Sequence, residues 1–445
     1  MKPMLKRALH VVPAVSLALA VAAPLRAAEG PANPQLQAQL LKLGDGEFAS
    51  YYAYGAGPLW IAPDGSLNPA ANELLQLMQT ADDDGLDPSS FNVEQIQADV
   101  QRMVADSSPA ALAQAELSLS RAFVAYSTAL RRPGEPQMAY EHNYLRPGAR
   151  GTYSVLAEAA KAPSLSEYIQ GMKWMHPLYA PLRRAAIAAR GTSPRERAVA
   201  VANLARIRAI PPQPGGRHIV VDSGEARLWM YDGDVAVDSM RVIVGKHDLQ
   251  TPIMAGYVRF AILNPYWNVP DNLIRKTIAP NVLAQGVRYL KTRGYEVLSG
   301  WEEDAVPVDP STIDWKAAKA GKLNLHVRQR PGATNSMGRV KYEFPNADGI
   351  YLHDTPDKSL MLKADRHLSN GCVRLEDAQR LGKWLMGAPL ETPSGKPEQK
   401  VDLPKPVPIY ITYLTARAEG DGLAAGPDPY GLDGVQLAAL ATNGG

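Results

Sequence analysis

The chain has one cysteine, Cys372, in the run Ser369-Asn370-Gly371-Cys372-Val373-Arg374. A thiol attacks a carbonyl as its thiolate, so it needs a base or a cation within reach. Nineteen residues earlier, Tyr351-Leu352-His353-Asp354-Thr355-Pro356 reads as a strand ending in a turn, which lets a neighbouring strand present His353 to Cys372. Gly371 frees the backbone just before the thiol, so the amides of Gly371 and Cys372 can converge on one oxyanion. Arg374, two residues on, leaves an extended strand on the same side and can grip a carboxylate. Two other uses of these side chains stay open. One is an inert buried thiol. The other is a zinc site from Cys372, His353 and His367, although neither a C-x-x-C nor an H-E-x-x-H frame supports it, and no metal or other cofactor is expected.

The elements that must hold this constellation differ between the two halves. From about Asn72 to Ile210 the apolar spacing is helical. Ser108-Pro109 opens a segment whose Leu112, Ala115, Leu119, Phe123, Tyr126 and Leu130 share one face, until Pro133-Gly134 stops it. Ser164 with Glu167, and Ser193-Pro194 with Glu196, fit the capping box. The run Pro211-Pro212-Gln213-Pro214-Gly215-Gly216 cannot continue a helix, which places the main boundary there. Beyond it, His218–Val221, Ala226–Tyr231 and Val235–Val244 are short β-branched runs separated by Asp222-Ser223-Gly224 and Asp232-Gly233-Asp234, the pattern of an antiparallel meander. No crossover-length helix separates them, so a sandwich or barrel-like β domain is expected rather than a doubly wound sheet. Residues 286–346 are turn-rich, carry Trp301 and Trp315, and read as an insertion covering a site. A helix over Glu376–Met386 and a closing strand over Val407–Leu414 follow.

The class is therefore α+β and multidomain: an all-helical scaffold domain (28–210), a mainly antiparallel, β-sandwich-like catalytic domain (217–415) with a lid-like insertion, and a tail (416–445) that composition leaves uninformative. At the N-terminus, Lys2, Lys6 and Arg7 precede an apolar run from Ala8 to Ala23, short of the ~20 residues a membrane span needs, and small residues follow at Ala27 and Ala28. Residues 1–27 read as a signal peptide, which makes the mature chain a periplasmic protein with no transmembrane segment. Its loss removes four of the 47 basic residues against 45 acidic ones and takes the formal charge from +2 to −2. Basic residues form no stripe, so nucleic acid is not an expected partner. In an oxidising compartment an unpaired thiol is a liability, so its retention argues for use.

At these residues the chain resembles the L,D-transpeptidases with a YkuD-type catalytic domain, whose hallmark is a His followed by Ser-x-Gly-Cys-(Val/Ile)-Arg. Asn264-Pro265-Tyr266-Trp267-Asn268-Val269-Pro270, Val242-Ile243-Val244-Gly245-Lys246 and the stretch from Gln329 to Gly338 resemble blocks of the large, YcbB-like periplasmic members. Asp84-Gly85-Leu86-Asp87-Pro88 and the tail Asp428-Pro429-Tyr430-Gly431-Leu432-Asp433 do so more loosely. The resemblance implies a two-step acyl transfer on peptidoglycan stem tetrapeptides: Cys372 forms a thioester, D-alanine leaves, and a second stem resolves it into a 3-3 cross-link between diamino acids. It implies His353 as base, oriented by a backbone carbonyl such as that of Asp354. It also implies a substrate groove at Arg374, Ser369, Asn370, Tyr266 and Trp267, and acylation by carbapenems. Many members carry His where this chain has Asn370, and no room for a small wall-binding module exists between Arg190 and Ser193. The acceptor stays open among a second stem, the lysine of an outer-membrane protein, a D-amino acid and water. So does a catalytically silent wall-binding scaffold.

Overall fold

The computed structural model describes residues 33–443 apart from 55–56, 133–137, 192, 213, 215 and 391–394. The expected signal segment, the Pro133-Gly134 stop and part of the 211–216 linker therefore lie outside the described residues. In the first half, helices pack around Pro109–Leu130, which is buried on most sides because Ala and Ser alternate with its large apolar residues. Ser108 caps it by accepting from the Ala111 amide at 3.3 Å, with Pro109 in the first turn. Ser164 likewise accepts from the Glu167 amide at 3.2 Å. Ser193 differs from the capping-box expectation: its side chain makes no capping bond, and the helix Pro194–Ile207 starts on proline alone.

Two buried carboxylates in this half are surrounded by donors. The Asp84 carboxylate, 1% exposed, accepts from Arg183 Nε at 2.8 and 3.0 Å, from the Tyr126 hydroxyl at 2.7 Å and from the Tyr179 hydroxyl at 2.8 Å. Arg183 Nη2 donates onward to the carbonyls of Leu77 and Thr80 and to the Thr80 hydroxyl. The Glu116 carboxylate sits between the amides of Leu59, Trp60 and Ile61 and the Tyr52 hydroxyl. Burial pushes its pKa up to about 7, and those four donors oppose the rise.

Strand β1 (Ala139–Tyr140) belongs by sequence to the helical half. After the linker, β2 (His218–Asp222), β3 (Arg227–Asp232) and β4 (Val235–Gly245) form the antiparallel meander, with His218 opposite Tyr231 and Arg227 opposite Arg241. Next come β5 (Met254–Leu263), β6 (Trp267–Asn268), β7 (Tyr295–Leu298), β8 (Pro307–Val308) and β9 (His326–Gln329). The chain then adds β10 (Val340–Glu343), β11 (Leu352–His353), β12 (His367–Ser369), β13 (Val373–Leu375) and the long β14 (Gln399–Thr412). Strand β14 pairs in parallel with β2 and antiparallel with β5, so the path β5-β10-β11-β13-β4-β3-β2-β14 closes on itself. The sheet is thus a ring rather than a sandwich with open edges, because the closing strand starts at Gln399, ahead of the expected Val407, and is long enough to reach both neighbours. Its interior is Ile219, Leu228, Val242, Val258, Ala261, Tyr342, Leu352, Val373 and Ile409 with their neighbours, closed at one end by the helix Ala378–Met386.

Strands β6 to β9 lie outside the ring, in a separate sheet of order β6-β9-β7-β8. With short helices they enclose a core of their own around Ile278, Val297, Trp315 and Val327. This unit begins at Trp267, earlier than residue 286, and Val340–Glu343, inside the expected insertion, is a strand of the ring. Four residues alternating Val340, Lys341, Tyr342 and Glu343 behind a run of turn formers give too short a pattern to separate from loop. The two halves are stitched together at several points. Strand β1 pairs in parallel with β5, and the buried rings of His176 and His218 meet at 3.2 Å between Nε2 atoms. The tail is ordered: β15 (Ala416–Glu419) and β16 (Gly422–Ala425) form a hairpin, and a helix spans Asp433–Asn443.

Candidate active site

Strands β11 and β13 run parallel with Leu352 beside Val373 and His353 beside Arg374. Leu352 and Val373 are fully buried in the ring. Strand alternation therefore sends His353, Arg374 and Cys372 to the opposite face, with Tyr351 next to Cys372 and Lys341 of β10 next to His353. Sequence spacing places His353 and Cys372 nineteen apart; the parallel register is what brings them onto one surface.

The thiol of Cys372 is partly exposed and donates to the Gly349 carbonyl at 3.7 Å. Burial raises its pKa above the ordinary thiol value, opposed by the Tyr351 amide and the charge of Arg374. His353 is 4% exposed, and its Nδ1 lies 2.6 Å from the Asp354 carbonyl oxygen. A carbonyl only accepts, so the ring carries a proton on Nδ1, and the Met337 backbone also bonds the ring. Burial, reinforced by Arg374, pushes the His353 pKa down to about 3. The resting pair is therefore neutral thiol and neutral imidazole.

Asp354 bonds His353 through its backbone, and its carboxylate charge acts on the ring without a direct bond. Its carboxylate accepts from the Arg339 amide at 3.0 Å and from Lys358 Nζ at 2.7 Å, tying the base's loop to the chain returning from the insertion. Arg374 is held below the usual guanidinium range by burial, and its Nε is buried without a partner among the described residues. Across β11, on β10, Lys341 and Glu343 pair at 2.8 Å, each 15% exposed.

The turn before the thiol departs from expectation in two ways. Ser369, expected to touch substrate, is 2% exposed and donates its hydroxyl to the Cys372 carbonyl at 2.6 Å. It also accepts the Gly371 amide at 3.1 Å. Of the two amides expected to share an oxyanion, that of Gly371 is thus already engaged, and only that of Cys372 has no acceptor among the described residues. Gly371 itself is required: its φ is +116°, and an added Cβ would stand 3.1 Å from Ile350 Cδ1. Asn370 is exposed at the turn.

Tyr266 and Trp267, expected to line the groove, form the root of the insertion. Arg328 lies over the Tyr266 ring at 4.1 Å, and Trp267 packs into the insertion core against Tyr295. Pro265 and Pro270 fix the chain direction there, which aims both rings at the insertion. His367 is also drawn away from the thiol: Nδ1 meets Asp365 Oδ1 at 2.7 Å and Nε2 the Ser223 carbonyl at 2.9 Å. No group of three or more His, Cys, Asp or Glu among the described residues is arranged to hold a metal.

Residues that sequence reasoning did not assign include Gly349, Lys341, Glu343 and Thr251, whose hydroxyl donates to the Gly371 carbonyl at 2.7 Å. The signal for Thr251 was its place just after the block from Val242 to Lys246, which carried the resemblance without a role.

Residues 216–409 match the YkuD family, described as the L,D-transpeptidase catalytic domain, and residues 47–185 match a family described as Scaffold domain. Residues 216–409 are thus similar to the L,D-transpeptidase catalytic domain. A Haemophilus influenzae protein, named provisionally as an L,D-transpeptidase, is 33% identical over 238 residues, 52% of this chain and 47% of that protein. The chain thus spans about half the length of that relative. Two solved structures share 12% identity with it. An L,D-transpeptidase from Mycobacterium smegmatis covers 44% of this chain and 58% of its own, at a TM-score of 0.22. The Ldtfm–avibactam carbamoyl enzyme covers 45% and 51%, at 0.20. TM-scores this low add nothing to the family match. Within the matched region, His353, Gly371, Cys372 and Arg374 lie on or beside two paired strands of a closed sheet. No helix among the described residues is long and apolar enough to cross a membrane.

Proposed function

We propose that this protein is a periplasmic L,D-transpeptidase that forms 3-3 cross-links in peptidoglycan through a thioester on Cys372. The observation that carries this reading is the shared face of His353, Cys372 and Arg374 within the region that matches that family. His353 Nε2 removes the thiol proton as sulfur bonds to the carbonyl of the donor's diamino acid. The tetrahedral oxyanion rests on the Cys372 amide. Collapse breaks the bond to the terminal D-alanine, whose nitrogen takes the proton from His353. The amine of a second stem then attacks the thioester, gives its proton to His353 and releases the thiol with a diamino-acid to diamino-acid link.

A neutral pair suits this sequence: the imidazole, its pKa pushed down by burial, is unprotonated at neutral pH and takes the thiol proton as sulfur bonds to the carbonyl. The partly buried guanidinium of Arg374, with a donor unmatched, is suited to a carboxylate of the stem. Incubating the purified protein with disaccharide-tetrapeptide tests the reading. Release of D-alanine together with a dimer of matching mass is expected. Release without dimer would make the enzyme a carboxypeptidase, and a lysine-bearing outer-membrane protein in the mixture would reveal that acceptor. No release with folded protein would favour a silent wall-binding scaffold.

A further inference from the structure

In a trans peptide the carbonyl of Gly371 and the amide of Cys372 point in opposite directions, so whatever fixes the carbonyl aims the amide. That carbonyl accepts from Thr251 Oγ1 at 2.7 Å. The Thr251 hydroxyl in turn accepts from the Gly245 amide at 2.8 Å, which commits its single proton to Gly371. The Gly245–Thr251 turn is pinned by the tail: the Tyr430 hydroxyl donates to the Gly245 carbonyl at 2.6 Å and accepts the Thr251 amide at 3.3 Å. Thr251 is 2% exposed and Tyr430 4%.

Tyr430 is anchored on its far side as well. Its ring stacks on Tyr413 at 5.1 Å, and its amide donates to the Tyr413 hydroxyl at 3.0 Å. Three residues on, Asp433 accepts from Arg206 of the helical half at 2.7 Å and from Thr415. A continuous set of bonds thus runs from the helical half through the tail to the peptide preceding the nucleophile.

We propose that Thr251 and Tyr430 are positioning residues that lock the Gly371–Cys372 peptide plane and so aim the Cys372 amide at the oxyanion. The inference rests on the reading of Cys372 as the acylated nucleophile. It gains force from Ser369, which engages the Gly371 amide and leaves the Cys372 amide as the backbone donor of this turn.

Two reactions of the same thiol separate aim from general damage. A carbapenem acylates through a tetrahedral oxyanion: sulfur bonds to the lactam carbonyl, the ring C–N bond breaks, and nitrogen takes the proton. Iodoacetamide alkylates at a saturated carbon, expels iodide and forms no oxyanion. Both rates are measured by intact mass on full-length wild type, Thr251→Val, Thr251→Ser and Tyr430→Phe. The expected result for Thr251→Val is a fall in acylation of about 10²-fold, the scale of a lost oxyanion donor, with alkylation within about threefold of wild type. Thr251→Ser should restore acylation, and Tyr430→Phe should show a smaller fall in the same ratio. Equal acylation in Thr251→Val and wild type, or a parallel fall in both rates, overturns the proposal. If Thr251→Val does not fold, an unchanged ratio in Tyr430→Phe overturns it. Wild type that is alkylated but never acylated overturns instead the reading of Cys372 on which it rests.

Discussion

Two arginines, one buried and one half-buried, teach opposite lessons. Arg183 in the helical half is 3% exposed and has its donors matched by Asp84, two carbonyls and a hydroxyl, while Tyr126 and Tyr179 complete the carboxylate. Burial pulls its pKa down, but Asp84 and the two phenols more than offset this and hold the charge. Arg374, on the face shared with His353 and Cys372, keeps an unmatched Nε, and burial wins, lowering its pKa. A satisfied buried charge is architecture; an unsatisfied one beside a thiol and an imidazole awaits a partner from outside the chain.

The contrast predicts where damage will appear. Asp84→Ala should be the largest blow to stability, about 3–5 kcal/mol, because it strands Arg183 and two hydroxyls in the core, and calorimetry of the full chain checks it. A melting temperature close to wild type would break the contrast from the structural side. His353→Ala should leave melting nearly unchanged yet slow acylation by ~10² or more, the scale of a lost general base. Next, Arg374→Ala should weaken use of a stem peptide more than alkylation of the thiol. Arg374→Lys should rescue it poorly, because an ammonium cannot make two parallel bonds to a carboxylate. Full rescue by lysine would reduce Arg374 to a point charge.

The pH dependence sharpens the same point. With imidazole down at about 3 and the thiol raised, alkylation of Cys372 should keep climbing with pH beyond the ordinary thiol range, without an acid-side plateau. A plateau between about pH 5 and 7 would indicate a thiolate–imidazolium pair. For stability the sign is also fixed. The His353 pKa is depressed, so its contribution is present above the unfolded value near 6.5 and is lost as pH falls toward 3. The smallest effect belongs to Trp267→Ala, which should change acylation less than threefold while loosening the insertion, because its ring packs on Tyr295 rather than at the thiol.

Much of this was legible in the chain. Period-two runs marked β2 to β4, Ser108-Pro109 marked the long helix, and the strand before His353 was readable as the neighbour of the cysteine's strand. What was illegible shares one cause: it depends on pairing between segments far apart in sequence. Nothing local says that β14 meets both β2 and β5, that the Gly371 amide turns to Ser369, or that a Gly- and Ala-rich tail delivers its one aromatic, Tyr430, to the turn behind the nucleophile. Tyr266 and Trp267 misled because an aromatic pair near a motif suits a groove and a hinge equally, and only the contact with Arg328 and Tyr295 decides.

The central claim is that the face carrying His353, Cys372 and Arg374 performs acyl transfer through the thiol. Intact-mass spectrometry of folded protein with a carbapenem at neutral pH tests it most directly. One stoichiometric adduct on the wild type, absent from Cys372→Ala and formed far more slowly on His353→Ala, is the predicted result. A wild-type protein with a free, alkylatable thiol that forms no adduct, or an adduct that persists in Cys372→Ala, would contradict it.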